Sequence, residues 1–270
     1  MAELFGFDAY SPKEIADRAA SAGVAKARLP LASMLMLSIL AGGFIGLGAM
    51  YFTLVTSDTS LSFAASRLLG GVVFSLGLIL VVIAGAELFT GNNLLAIAWA
   101  DKKISTREML LNWLVVYVGN AIGATGLALL IALSHHLDLN QGAVGQYAIK
   151  IALGKVSLPF WEAFFKGVLC NILVCLAIWL ALAGRSVTDK ILAIIFPVSA
   201  FIAAGFEHSI ANLYFIPLGM IIKWQNGMAN DALMPLEWNG LAANLLPVTL
   251  GNIVGGSVMV ALVYHLIYHR

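Results

Sequence analysis

Charge is what this sequence has least of. Of 270 residues only 11% are Asp, Glu, Lys or Arg, against 61% that are apolar, and the mean hydropathy is +0.93. Soluble domains carry about 25% charged residues, so the surface of a water-soluble fold of this size would go uncovered. The near-neutral balance, +1, and the lack of any basic run or aromatic-plus-basic stripe exclude a nucleic-acid partner. Cysteine is almost absent too. Cys170 and Cys175 sit inside an apolar stretch with no spaced histidines, which excludes a disulfide framework and reads as packing. No metal set or cofactor motif is found. Met1–Arg28 has no apolar core and is not read as a cleavable signal.

What is present is apolar length. A membrane span needs about 20 mostly apolar residues. Residues 29–57, 109–137, 167–184 with the residues before them, and 238–269 each supply one. Two further stretches differ. Between Arg67 and Asp101 the only charge is Glu87, and between Lys190 and Lys223 the only acid or base is Glu207, beside His208. Each is too long for one crossing, since 33 residues make a helix of about 50 Å, and too short for two. The expectation is therefore an all-α polytopic membrane protein with six transmembrane helices, the second and fifth broken. Non-helical backbone at that depth is tolerated only where protein or a cavity surrounds it. Residues 1–28 are read as a cytoplasmic amphipathic segment and 29–270 as the six-helix transmembrane domain. Ser11, Pro12 and Glu14 mark the start of a helix in the first of these. Lys and Arg divide ten to five in favour of the side holding both termini, which places both termini in the cytoplasm.

The two odd stretches match. Ala84-Gly85-Ala86-Glu87 through Asn92 aligns with Ala204-Gly205-Phe206-Glu207 through Asn212, an offset of 120. Gly119-Asn120-Ala121-Ile122-Gly123 aligns with Gly251-Asn252-Ile253-Val254-Gly255, an offset of 132, the difference lying in a longer loop after the second stretch. The first spans of the two halves show no match. Three crossings per half make the repeat an inverted three-plus-three, which puts a solute path at the repeat interface near the midplane.

Glu87 and Glu207 are read as scaffold, accepting backbone N–H groups of their own breaks. His208 replaces the Leu88 of the other half and can bear charge near neutral pH. It is read as the polar centre of the path, with Thr90 facing it. Asn171, Asn120 and Asn252 are amides within apolar spans that need partners. Phe74, Phe89 and Phe201, with Leu78 and Leu88, are candidate apolar constrictions. Lys155 is read as a lone cation on the outer side, and His135, His136, His265 and His269 as interfacial. The glycines, Gly123 and Gly255 among them, are read as close helix packing. The break segments lack Asn-Pro-Ala, which argues against a neutral-solute pore of that kind. The chain also lacks a Gly-x-Ser-x-Gly elbow, and adjacent His208 and Ser209 are poorly disposed to activate each other, so no enzyme is expected.

The segments Phe74–Leu80 through Thr90, Gly205-Phe206-Glu207-His208-Ser209-Ile210-Ala211-Asn212, Lys166–Asn171 and Thr249–Gly256 resemble the signatures of the formate/nitrite transporter family. The resemblance runs from about residue 10 to residue 268. It implies an aquaporin-like protomer in a homopentamer, one pore per subunit, in the inner membrane of a prokaryote. It also implies two apolar constrictions, formed by Phe74, Leu78, Leu88, Phe89 and Phe201. Polar contacts from Thr90, His208, Asn171 and Asn252, and a vestibule lysine at Lys155, follow from it as well. Glu87 departs from the Asp of some members. The stretch from Phe196 to Met220 resembles the formate branch, while short loops after the third and fifth spans are more like the nitrite branch. Formate is the anion expected, with nitrite the alternative and hydrosulfide or lactate behind it. Passage is expected to be proton-assisted past His208, because bare charge in hydrocarbon is costly.

Overall fold

The computed structural model describes residues 10–225 and 233–269. Positions 1–9, part of the longer loop at 226–232, and Arg270 lie outside the described residues. Five helices are long and apolar enough to cross a membrane. They are α2 (Leu31–Thr56), α3 (Phe63–Ile83), α5 (Thr106–Leu133), α7 (Phe160–Ala183) and the continuous helix Trp238–Tyr268. The last comprises α10 (Trp238–Ile253), a wide-turned π stretch (Val254–Leu262) and α11 (Val263–Tyr268). A sixth apolar helix, α8 (Val187–Ala203), has 17 residues. Leu40, Leu114, Ile122, Leu130 and Phe196 point outward and are half or more exposed on the isolated chain. An apolar outer belt of that extent calls for lipid or neighbouring subunits.

Both glutamate stretches are interrupted. Helix α3 stops at Ile83, the chain is non-helical through Phe89, and a 3₁₀ turn (Gly91–Leu94) leads into α4 (Leu95–Ala100). Helix α8 stops at Ala203, and α9 (Ser209–Gln225) starts after a shorter gap. Gly85 and Gly205 turn the chain with φ of +80° and +71°, where a side chain is strained.

Two short helices flank these interruptions. Helix α1 (Pro12–Ala27) starts with the Ser11–Glu14 capping box and buries Ile15, Ala16, Ala19, Ala20 and Gly23, packing on α4. Helix α6 (Ala143–Val156) packs on α9. It lies in the connection after α5, which sequence reading took as a short loop. Its 14 residues are too few to span a membrane, and its one apolar face (Val144, Ala148, Ala152) is what the composition hid. Helix α2 packs against α5 and α3, α7 against α10 and α8, and α3 joins α8 across the middle. Small residues allow the close crossings: a side chain on Gly123 would strike the Ile39 carbonyl, and one on Gly255 the Val168 carbonyl.

Candidate functional site

The interruptions release backbone N–H groups at membrane depth, and asparagines from neighbouring helices take them up. At the first, Asn120 Oδ1 accepts the Phe89 N–H (2.9 Å), while its Nδ2 donates to the Ser38 and Glu87 carbonyls (2.7 and 2.8 Å). At the second, Asn252 Oδ1 accepts the Ser209 N–H (3.0 Å), and its Nδ2 donates to the Gly167 and Glu207 carbonyls (2.8 and 3.0 Å). Asn252, expected as a pore contact, is thus engaged on both ends of its amide in holding backbone.

The glutamates are held differently from expectation. Neither side chain accepts a backbone N–H of its break. Glu87 accepts Lys26 Nζ (2.6 Å) and Asn92 Nδ2 (2.7 Å), and Asn92 also donates to Asn112. Glu207 accepts Lys155 Nζ (3.0 and 3.1 Å) and Asn212 Nδ2 (2.6 Å), and Asn212 also donates to Asn244. Asn112 donates to the Lys26 carbonyl and Asn244 to that of Lys155. Lys155 is therefore no lone cation. It is a largely buried partner of Glu207, because the last turn of α6 delivers it there.

Sequence reading missed Lys26, Asn112 and Asn244, and with them a third repeat segment. Lys26-Ala27-Arg28-Leu29-Pro30 and Lys155-Val156-Ser157-Leu158-Pro159 share Lys-x-x-Leu-Pro at an offset of 129. Asn112 and Asn244 keep the offset of 132 already seen for Asn120 and Asn252. The signal was legible as paired polar positions, not as paired apolar runs.

Between the interruptions the bonding stops repeating. Thr90 Oγ1 and His208 Nε2 lie 2.9 Å apart, both fully buried. His208 occupies the position before α9, and its Nδ1 accepts the Ala211 N–H at 3.0 Å, as a helix cap does. Nδ1 is therefore the bare nitrogen and Nε2 carries the hydrogen, directed at Thr90. With both nitrogens engaged, His208 has none for Ser209, whose buried hydroxyl has no partner. Asn171 Nδ2 donates to the Thr90 and Asn252 carbonyls and to Asn93 Oδ1 (3.2, 2.7 and 2.8 Å), leaving its own Oδ1 buried and unpaired. A side chain on Gly256, in the π stretch, would collide with Asn171, and Ser257 donates to the Asn93 carbonyl.

Phe74, Leu78, Leu88, Phe201 and His208 surround a void of about 10 Å³ together with Ile45, Val174 and Val198. The Phe201 ring lies nearly parallel to the imidazole at 6.0 Å and edge-on to Phe74. Phe89 does not line this void, and packs on Trp113 and Tyr117 instead. Leu88 also floors a cavity of about 440 Å³ on the α1 side, bordered by Lys26, Gly85, Glu87 and Asn92.

The family described as formate/nitrite transporter matches residues 13–266. The chain belongs to the formate/nitrite transporter family. Among members of the formate/nitrite transporter family, it is 40% identical to the formate channel FocA of Escherichia coli K12, over 98% of this chain and 96% of FocA. It is 38% identical to a probable formate transporter of Methanothermobacter thermautotrophicus, over 96% and 97% of the two chains. A solved pentameric formate channel with formate bound superposes with a TM-score of 0.81 at 40% identity, covering 89% of this chain and 98% of that one. A solved FNT family ion channel gives a TM-score of 0.82 at 34% identity, covering 94% and 98%. Members of this family named here are channels or transporters, and the chain is a multi-pass membrane protein of that all-helical fold.

Proposed function

We propose that this protein is a channel for small monovalent anions, with formate as its substrate, working as a homopentamer with one pore in each subunit. The observation that carries the reading is the Thr90–His208 pair, buried beside a near-closed apolar void between two matched helix interruptions. The likeness to FocA and to a pentameric formate channel with formate bound supports the substrate and the assembly. The short-loop likeness to the nitrite branch is weakened by helix α6 in the connection after α5, and relatives named above carry formate in their names.

The fold is read as six crossings in an inverted three-plus-three repeat. Helices α3 and α8 with their continuations are the two broken spans, and α1 and α6 are counterparts at opposite faces. Residues 1–28 are the cytoplasmic segment and 29–270 the channel. The Lys and Arg bias supports both termini facing the cytoplasm, and bacterial relatives support the inner membrane.

The passage follows from the geometry. An anion drawn toward Lys26 or Lys155 meets a cation already half-neutralised by Glu87 or Glu207, so it is attracted without being trapped. The void beyond, ringed by Phe74, Leu78, Leu88 and Phe201, offers His208 as its one polar side chain in place of the anion's water. Carrying bare charge there is prohibitive, and protonation removes the charge. The proton comes from water in the vestibule. A neutral imidazole with Nδ1 capping α9 is a hydrogen-bond donor at Nε2, not a proton source. His208 and Thr90 then hold the carboxyl group in transit, and Asn171 is a further polar wall of this station.

Uptake into proteoliposomes tests the reading. Formate should enter faster than nitrite and faster still as external pH falls, because the neutral acid is the crossing form. Nitrite entering faster, or formate entry indifferent to pH, would overturn it.

A further inference from the structure

Away from the pore, a cluster of titratable side chains remains that transport does not use. Asp101 closes α4, and His265 and His269 stand one turn apart at the end of α11. Sequence reading placed both histidines at an interface and found no metal set. The fold brings them onto one carboxylate.

His269 Nδ1 lies 2.9 Å from both Asp101 oxygens, and His265 Nδ1 lies 2.9 Å from Asp101 Oδ1. His269 Nε2 is 3.3 Å from Asp17 Oδ1 on α1, and Lys103 Nζ is 2.9 Å from Asp101 Oδ2. Asp101 and His269 are more than nine-tenths buried, at 8% and 7% side-chain exposure. His265 Nδ1 and His269 Nε2 are buried yet make no hydrogen bond in that setting. An imidazole nitrogen kept from water without a bond is costly, and a metal ion beside Asp101 would take the lone pair of His265 Nδ1 and that of His269 Nδ1, leaving His269 Nε2 turned to Asp17.

The donor set fits such an ion. Two histidines four residues apart on one helix face aim their rings together, as in helical zinc motifs. With one carboxylate they make a three-ligand set that leaves a fourth position for water. One ligand atom from each residue falls in a group spanning no more than 4.8 Å. Ligand bonds of about 2.0–2.2 Å need only small adjustments within that span. Two carboxylates, Asp17 and Asp101, contact the imidazoles against one lysine, Lys103, which pairs with Asp101 and whose half-exposed side chain is free to turn to water. With neutral imidazoles the site carries net negative charge, which suits a cation.

We propose that Asp101, His265 and His269 form a binding site for a divalent transition ion of the zinc type, flanked by Asp17, which clamps α11 to the end of α4 and to α1. The site is independent of the transport reading.

The test uses the full-length assembled protein with any purification tag removed. Zinc titration by calorimetry should show one ion per subunit, and cobalt should give the visible absorption of a tetrahedral site. Affinity should fall roughly tenfold or more in H265Q and in D101N, and stay unchanged in H135Q/H136Q, a pair far from the cluster. Because glutamine keeps a polar side chain beside Asp101, and His269 and Lys103 still hold that carboxylate, H265Q is the milder of the two variants, and its unfolding temperature without zinc is the control for the fold. Zinc should also raise the unfolding temperature of the wild type and not of H265Q. Equal zinc affinity in wild type and H265Q, or no zinc bound by the wild type, would overturn the proposal.

Discussion

At the first interruption, Lys26, Glu87, Asn92 and Asn112 form a chain of bonds, and Asn120 collects the freed backbone. At the second, Lys155, Glu207, Asn212, Asn244 and Asn252 make the same bonds to equivalent atoms. The bonded polar residues match, while five positions between them differ, among them Leu88 against His208 and Thr90 against Ile210. The duplicated residues do what any helix interruption in a membrane requires, satisfying backbone and buried charge. Among the unmatched residues, Thr90 and His208 meet each other side chain to side chain, and no backbone need explains their pairing. Equivalence between the interruptions therefore marks scaffold, and on the proposed function the Thr90–His208 departure from it marks the solute station.

Several substitutions break or sharpen this comparison. The largest effect is expected from N120A and N252A, each of which orphans one N–H and one non-helical carbonyl and strips a helix carbonyl of its second partner. The cost is roughly 1–3 kcal/mol for each unpaired group, and thermal unfolding in detergent should drop comparably for both. A large drop for one alone would mean that the two asparagines are not equivalent. Next, K155M should destabilise more than K26M. Lys155 is 14% exposed and leaves a buried Glu207 unpaired, up to about 3 kcal/mol. Lys26 is 33% exposed, which brings its effect below about 1 kcal/mol. Adding E207Q to K155M should recover part of the loss.

A smaller effect is expected from T90V, which removes one hydrogen bond to His208 and keeps the side-chain shape. Formate flux should fall by roughly tenfold or less, and the unfolding temperature should drop less than in N120A, because a single buried donor, His208 Nε2, loses its partner. The smallest effect concerns the capping box of α1, outside the spans. The backbone N–H of Ser11 holds the carboxyl of Glu14 below its usual range. A depressed carboxyl stabilises the fold above its unfolded value and loses that contribution as pH falls through its folded value. Protection from hydrogen exchange at the first turn of α1, relative to the unfolded chain at the same pH, should therefore fall only in acid and stay flat through neutral pH.

The spans were legible because apolar length is a local signal. The interruptions were legible too, since one glutamate and one glycine recur within long uncharged stretches. The partners of those glutamates were not. Lys26 and Lys155 lie 61 and 52 residues from them in sequence, and no periodicity encodes such a contact. The Lys-x-x-Leu-Pro repeat was visible but sits at a span entrance, where lysine is ordinary. Helix α6 escaped notice because 14 mildly amphipathic residues resemble a loop beside a membrane span. Asp101 and His265 met only through the packing of α4 against the end of the chain.

The most direct test of the account is stopped-flow formate uptake into proteoliposomes holding H208L, which makes position 208 match its counterpart Leu88. The account predicts that flux falls at least tenfold while the protein still assembles and unfolds near the wild-type temperature. Wild-type flux with the wild-type pH response in H208L would contradict the claim that the unmatched Thr90–His208 pair is where the anion is held.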